Sequence, residues 1–194
     1  MAERPFHHGN LRTVLLDSAE TVLRQRGVDE LSLRELAREA GVSHGAPRSH
    51  FIDRKALLDA LGERGFLQLA SAMREAADGE TEYPEVLRAA ARAYVSFAVT
   101  NAALVDLMFA AKMDAPPESL LAAAERLFAT ISDIIREGIP AGAFAEDQIE
   151  RVTLLMSATM LGISTFVAAG RATGPQGNVM IDDAITQFLN GRLP

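Results

Sequence analysis

The sequence predicts an all-α protein: a three-helix head built around a helix-turn-helix, joined by a fourth helix to a larger helical region, with about nine helices in total. Three observations carry that expectation. The stretch SLRELAREAGVSHGAPRSHF, from Ser32 to Phe51, spells two short helices around one glycine. Apolar residues recur at helical spacing along most of the chain, and no convincing strand is legible. Short clusters of Gly, Pro and Asn separate the periodic segments, and these residues stop one helix and start the next.

In the first helix Leu11, Val14, Leu15, Ser18, Ala19, Val22 and Leu23 share one face, with Asn10 as its cap and Gly27 at its end. Ser32 and Glu35 form a capping box for the second, whose stripe is Leu33, Leu36, Ala37 and Ala40. Gly41 ends it, because only glycine takes the left-handed conformation there without cost, and Val42 is free to drop between the helices. Ser43 is placed to cap the third helix. Its exposed face offers Ser43, His44, Gly45, Arg48 and Ser49, while Ala46, Pro47 and Phe51 suit packing. Small residues near its start permit close approach to DNA. Asp53 then caps a fourth helix carrying Leu57, Leu58, Leu61 and Leu69. An ordinary helical corner shows the same local pattern, but the capped helices on both sides favour a DNA-reading head.

Gly79 through Pro84 separates the fourth helix from one carrying Leu87, Ala90, Ala91, Tyr94, Phe97 and Ala98. Near Asn101 that helix stops and a shorter one runs to Lys112. Ala115, Pro116 and Pro117 open a helix ending at Gly138. After the loop IPAGAF, Asp147 starts a helix ending near Gly170. The last helix runs from about Gly177 to Leu189, after the turn cluster TGPQGN.

Nineteen uncharged residues lie between Arg151 and Arg171, long enough to reach across a bilayer. Five hydroxyls, on Thr153, Ser157, Thr159, Ser164 and Thr165, lower the hydropathy, and no second span accompanies them, so a buried helix and no membrane partner are expected. Its small residues Ala158, Gly162, Ser164 and Ala168 would let another helix approach, either within the subunit or across a two-fold dimer interface shared with the last helix.

A chain of 194 residues that is 48% apolar can bury a full core, as one domain or two small ones. It has no cysteine, which removes disulfides and thiolate chemistry and fits a reducing cytoplasm. The opening MAERPFHHGN lacks the apolar run of a signal peptide, so a cytoplasmic location is expected. Net charge is −7, yet residues 1–60 hold nine basic and nine acidic side chains against ten and seventeen in the remainder. All four histidines also fall in the head, so the acidic excess lies away from the motif and would turn the head toward a polyanion.

Catalytic readings find little support. Every histidine precedes residue 51, and neither a Glu-x-x-His pair, a GxSxG elbow nor a glycine-rich phosphate loop is present, so no enzyme and no cofactor are expected. The adjacent His7 and His8 suit a solvent-exposed or phosphate-contacting arm better than a metal site.

Residues from about His7 to Leu61 resemble the DNA-binding head of the TetR/AcrR family of bacterial transcriptional regulators. The resemblance is carried by HHGNLR, RGVDELSLRELAREAGVS, GAP, the pair His50–Phe51 and the basic residue before Ala56–Leu58. Two positions depart from the family pattern: Arg48 stands where a tyrosine is usual, and Arg54 where a lysine is usual. Arg48 would make a charged phosphate contact or reach a guanine edge, and Arg54, with Lys55 beside it, would hold a phosphate at the start of the fourth helix. More loosely, AYVSFAVTNAALVDLMF resembles a run in a subgroup whose effector domain carries a Trp-His-Gly motif. Here Ser157 and Leu161 occupy the tryptophan and histidine places before Gly162.

The reading is therefore a homodimeric, ligand-responsive regulator, a repressor on a palindromic double-stranded DNA operator, with residues 1–55 binding DNA and 56–194 binding effector and partner. Ser32, Ser43, Arg48, Arg54 and Lys55 are assigned to phosphates; His44, Gly45, Ala46, Ser49 and Arg48 to bases; His50 joins the DNA-facing set. Candidate lining residues of an inducer pocket are Phe97, Leu104, Met108, Phe109, Phe128, Ile131, Met156 and Met160, with Asp106, Lys112 and Arg126 as sources of polarity. With no tryptophan and two tyrosines, the pocket suits an apolar or flat molecule. The alternative is a helical ligand-binding or protein-interaction module that has lost specific DNA recognition.

Overall fold

The computed structural model describes residues 11–191, so Asn10, His7 and His8, with the roles expected of them, lie outside the described residues. Among the described residues there are eight α-helices and no strand: α1 (Leu11–Arg26), α2 (Leu33–Glu39), α3 (Arg54–Asp78), α4 (Tyr83–Thr100), α5 (Ala102–Met113), α6 (Glu118–Arg136), α7 (Ile149–Ala168) and α8 (Gly174–Asn190). The expected ninth, the second limb of the helix-turn-helix, is a 3-10 turn over Ala46–Ser49. It is too short to propagate an α-helix, and Pro47 supplies no N–H.

The chain forms two compact units. The first comprises residues up to Gly65 together with Ala103–Leu121. Leu15, Ala19 and Leu23 of α1, Leu36 and Ala37 of α2, Phe51, and Leu57 and Leu61 of α3 are its buried core. These are the positions the helical periodicity selects. Ser32 Oγ accepts from the Glu35 N–H at 3.2 Å, as a cap should. The return half of the expected box is replaced, since the Glu35 carboxylate pairs with Arg38. Gly41 has φ 67°, the left-handed turn that ends α2. Gly62 and Gly65 let α3 approach α5 closely: a Cβ on Gly65 would stand 2.7 Å from Met108 Sδ.

The second unit comprises Phe66–Ala102 together with Ala122 onward. α7 packs against α4 and α8, and α4 also meets α8. Helix α8 begins three residues before the expected Gly177. TGPQGN reads as a turn by composition, yet Thr173 and Gln176 form a reciprocal capping box and Pro175 fits a first helical turn. The expected functional division at residue 55 and these compact units differ in their bounds, because α3 is continuous through Gly65 and α5 packs with the first unit.

Candidate nucleic-acid interface and ligand cavity

In the first unit the segment from Ser43 to His50 is held from below by two apolar anchors. Pro47 and Phe51 are buried, and the Phe51 N–H donates to the Pro47 carbonyl at 2.9 Å. Ser43, His44, Gly45, Arg48, Ser49 and His50 are all exposed, and Ala46 is half-buried. Ser43 is not the cap of this limb; Gly45 takes that position, and the Ser43 carbonyl accepts from the Ala46 N–H. A Cβ on Gly45 would meet nothing within 4 Å, so this corner is open to a close-lying partner. Ser49 Oγ donates to the Ala46 carbonyl at 2.7 Å.

The cations divide sharply by what they touch. Arg54 Nε donates to the Leu31 carbonyl at 2.9 Å, and its Nη2 to the Val28 carbonyl at 2.6 Å. Lys55 Nζ holds both oxygens of Asp59 at 3.0 and 2.9 Å, a contact that raises the ammonium's pKa. Arg38 is taken by Glu35, which lowers that carboxyl's pKa. The Arg48 side chain, in contrast, has no hydrogen bond or ion pair among the described residues, although its backbone N–H donates to the Gly45 carbonyl, and the side chain of Arg34 on α2 likewise has none. Arg12 lies 5.5 Å over the Phe51 ring. Arg12 and Arg34 lie outside the set the sequence predicts, because a count of cations does not reveal which are already paired.

The second unit holds a partly open apolar cavity of about 20 Å³, room for roughly one water molecule. Three of the nominated residues, Ile131, Met156 and Met160, line it, and Met73, Tyr94 and Ser157 join them. Burial pushes the Tyr94 hydroxyl up to about 12. Leu104 and Met108 lie in the first unit against Gly65, Phe109 and Phe128 are exposed, and Phe97 is half-buried off the lining. Asp106 and Lys112 are exposed on α5. Arg126 borders a separate open groove of about 420 Å³ with Arg74 and Glu75. Apolar type selected these residues, whereas the helical register decides which of them share a wall.

On α7 the side facing away from α4 and α8 is apolar and uncovered: Leu154, Leu155, Leu161 and Phe166 are exposed, with Ala158 and Gly162 between them. Ser164, nominated with the small residues, is buried instead. The segment Glu146–Ala168 is apolar and long enough to cross a membrane, and a third of its most apolar window is buried.

A helix-turn-helix head with exposed cations on an all-helical frame defines the class of DNA-binding transcriptional regulators. Residues 15–61 match the family model of bacterial regulatory proteins of the TetR family, and residues 87–188 match that of the tetracyclin repressor-like C-terminal domain. The chain belongs to the TetR family of transcriptional regulators. It is 42% identical to a protein with unknown function from Rhodococcus sp. RHA1, over 97% of this chain and 98% of that one, with a TM-score of 0.86. A regulatory protein of the TetR family from Rhodococcus RHA1 shares the fold at 20% identity and TM-score 0.70, over 92% and 95% of the two chains. So does the TetR family regulator PfmR from Thermus thermophilus, at 20% identity and TM-score 0.64 over 93% and 99%. Among curated protein sequences none matches the chain.

Proposed function

We propose that this regulator is a cytoplasmic homodimeric repressor that binds a palindromic operator and is released by a small apolar effector. The observation that carries the DNA reading is the contrast between Arg48 and its neighbours. Arg54 and Lys55 already donate to protein acceptors, whereas the exposed side chain of Arg48, beside the open corner at Gly45, has no such partner among the described residues. An unpaired guanidinium has five donors in a planar fork, suited to two phosphate oxygens or to a guanine edge. His44, Gly45, Ala46, Ser49 and His50 flank it as base-facing positions, and Ser32, Ser43, Arg12 and Arg34 are further phosphate contacts.

The uncovered apolar face of α7, together with exposed Val179 on α8, supports two-fold association, and two-fold association implies a palindromic operator. Residues 1–55 remain the DNA-reading part in this scheme and 56–194 the effector and dimer part. Helix α3 runs through both, so a ligand that prefers one arrangement of the second unit can bias the heads through it.

Selection of bound sequences from random DNA tests the proposal. One palindrome should be enriched, and Arg48→Ala should weaken it about tenfold and flatten the salt dependence by about one phosphate contact. Binding without sequence preference would favour the interaction module that has lost operator recognition, a reading to which the brevity of the 3-10 limb lends weight.

A further inference from the structure

Helix α7 carries five hydroxyl side chains, and four of them are satisfied within the helix. Thr153 Oγ1 donates to the Ile149 carbonyl at 2.7 Å, Thr159 to Leu155 at 2.8 Å, Ser164 to Leu161 at 2.8 Å and Thr165 to Leu161 at 2.9 Å. This is the default for a hydroxyl on a helix, because the carbonyl three or four residues back is always within reach. Ser157 is the exception. Its Oγ is shut off from solvent and has no hydrogen-bond partner among the described residues, and Ser157 lines the apolar cavity. A buried hydroxyl left without a partner costs about 1–3 kcal/mol, so a group that supplies the missing bond would be bound with corresponding preference.

The other lining residues set the chemistry of that group. The lining holds no carboxylate, no ammonium and no guanidinium, so a charged ligand would lose its hydration with nothing in return. Tyr94 also contributes to the lining, and its hydroxyl stays protonated at neutral pH. The Ser157 hydroxyl, with a proton to give, is matched by an acceptor oxygen on the ligand. The rest of the wall is aliphatic, and three of its residues, Met73, Met156 and Met160, are unbranched thioethers. Methionine rearranges at low cost, so a cavity of about 20 Å³ can widen around a guest of several carbons.

We propose that this cavity is the effector site and that it recognises a small, neutral, largely apolar molecule through one carbonyl-type oxygen bound by Ser157. The inference rests on the effector reading given above and adds to it the ligand class and the residue that selects it.

Full-length protein is titrated with acetophenone and cyclohexanone, each against the hydrocarbon in which the oxygen becomes a methylene, α-methylstyrene and methylenecyclohexane. Affinity is read by calorimetry and by the rise in Tm. At least one ketone should bind about fivefold more tightly than its hydrocarbon partner. Ser157→Ala should abolish that preference while leaving hydrocarbon binding unchanged or improved, and without ligand it should have a Tm at or above that of the parent. Tyr94→Phe provides a second variant of the same shape. Equal binding of each ketone and its hydrocarbon, no binding of either, or a preference that survives Ser157→Ala would overturn the inference. Operator release is scored separately. Ketone binding through Ser157 with unchanged DNA affinity would sustain the site and refute the switching reading, whereas loss of the ketone preference leaves DNA binding by the head untouched.

Discussion

Arg54 is tied to Leu31 across twenty-three residues of sequence, its Nε donating to the Leu31 carbonyl at 2.9 Å while Nη2 reaches the Val28 carbonyl. Both acceptors belong to the 3-10 turn Val28–Glu30 and its end, and the Val28 carbonyl also accepts from the Leu31 N–H at 3.2 Å. The fork of one guanidinium thus clamps the start of α3 to the segment that leads into α2. A lysine, with a single nitrogen, cannot serve both carbonyls in this geometry. Arg54→Lys is therefore expected to lower stability by about 1 kcal/mol in urea denaturation. Arg48→Ala, which removes no side-chain hydrogen bond or ion pair among the described residues, should leave the midpoint unchanged and lose only DNA affinity. A fall in stability for Arg48→Ala but not for Arg54→Lys would reverse these assignments.

Gly138 and Tyr83 permit no third atom between them. A Cβ on Gly138 would stand 2.2 Å from Tyr83 Cε1 and 2.3 Å from Cζ, and the Tyr83 hydroxyl is fixed by donation to the Ile135 carbonyl at 2.8 Å. The ring also meets Phe144 edge-on, with centroids 6.4 Å apart, so it has little room to retreat. Gly138→Ala should cost about 1–3 kcal/mol through overpacking. Tyr83→Phe should cost about 1 kcal/mol through the lost hydrogen bond. If both variants denature at the parental midpoint, the contact is not a structural one.

The two tyrosines give a clean alkaline titration, since no tryptophan interferes. Burial raises both: Tyr94 to about 12, and Tyr83 further, with the Glu137 carboxylate adding to the effect. A group whose folded pKa is raised stabilises the fold fully below its unfolded pKa of about 10, and loses that contribution as pH rises toward the folded value. Stability should therefore decline from about pH 10 to about pH 12, less steeply in Tyr94→Phe. Ultraviolet titration should show phenolate forming later in the native protein than in urea. Coincident curves would mean that neither hydroxyl is shielded.

Sequence periodicity made the helices legible because burial follows one face of each: Leu15, Ala19 and Leu23, or Leu36 and Ala37, are buried where the spacing puts them. Caps were legible where one side chain decides, as at Ser32, Gly41 and Asp53, whose Oδ1 accepts from the Ala56 N–H at 2.8 Å. The start of α8 was misplaced because Gly and Pro signal turns in isolation but also open helices when a capping box precedes them. In the candidate sites, the exposure of His44, Gly45, Arg48, Ser49 and His50 follows from the motif. The engagement of Arg54 and the membership of Ser157 in the cavity depend on distant partners, which local patterns do not encode.

Leu154 and Phe166 stand on the uncovered side of α7, 55% and 46% exposed, and Gly162 between them leaves open space where a Cβ would project. Placed across a two-fold axis, each residue is buried twice per dimer, and full burial of one leucine is worth about 1.5–3 kcal/mol. Leu154→Glu would bring two carboxylates into that contact. It should raise the dimer dissociation constant by about a hundredfold or more, measured by sedimentation equilibrium. Because the side chain contributes little to the core of its own subunit, circular dichroism and the unfolding transition of the resulting monomer should stay helical and cooperative. Operator affinity should fall with the dimer, since a monomer engages one half-site only. A Leu154→Glu protein that remains dimeric at low micromolar concentration would place the interface on another surface.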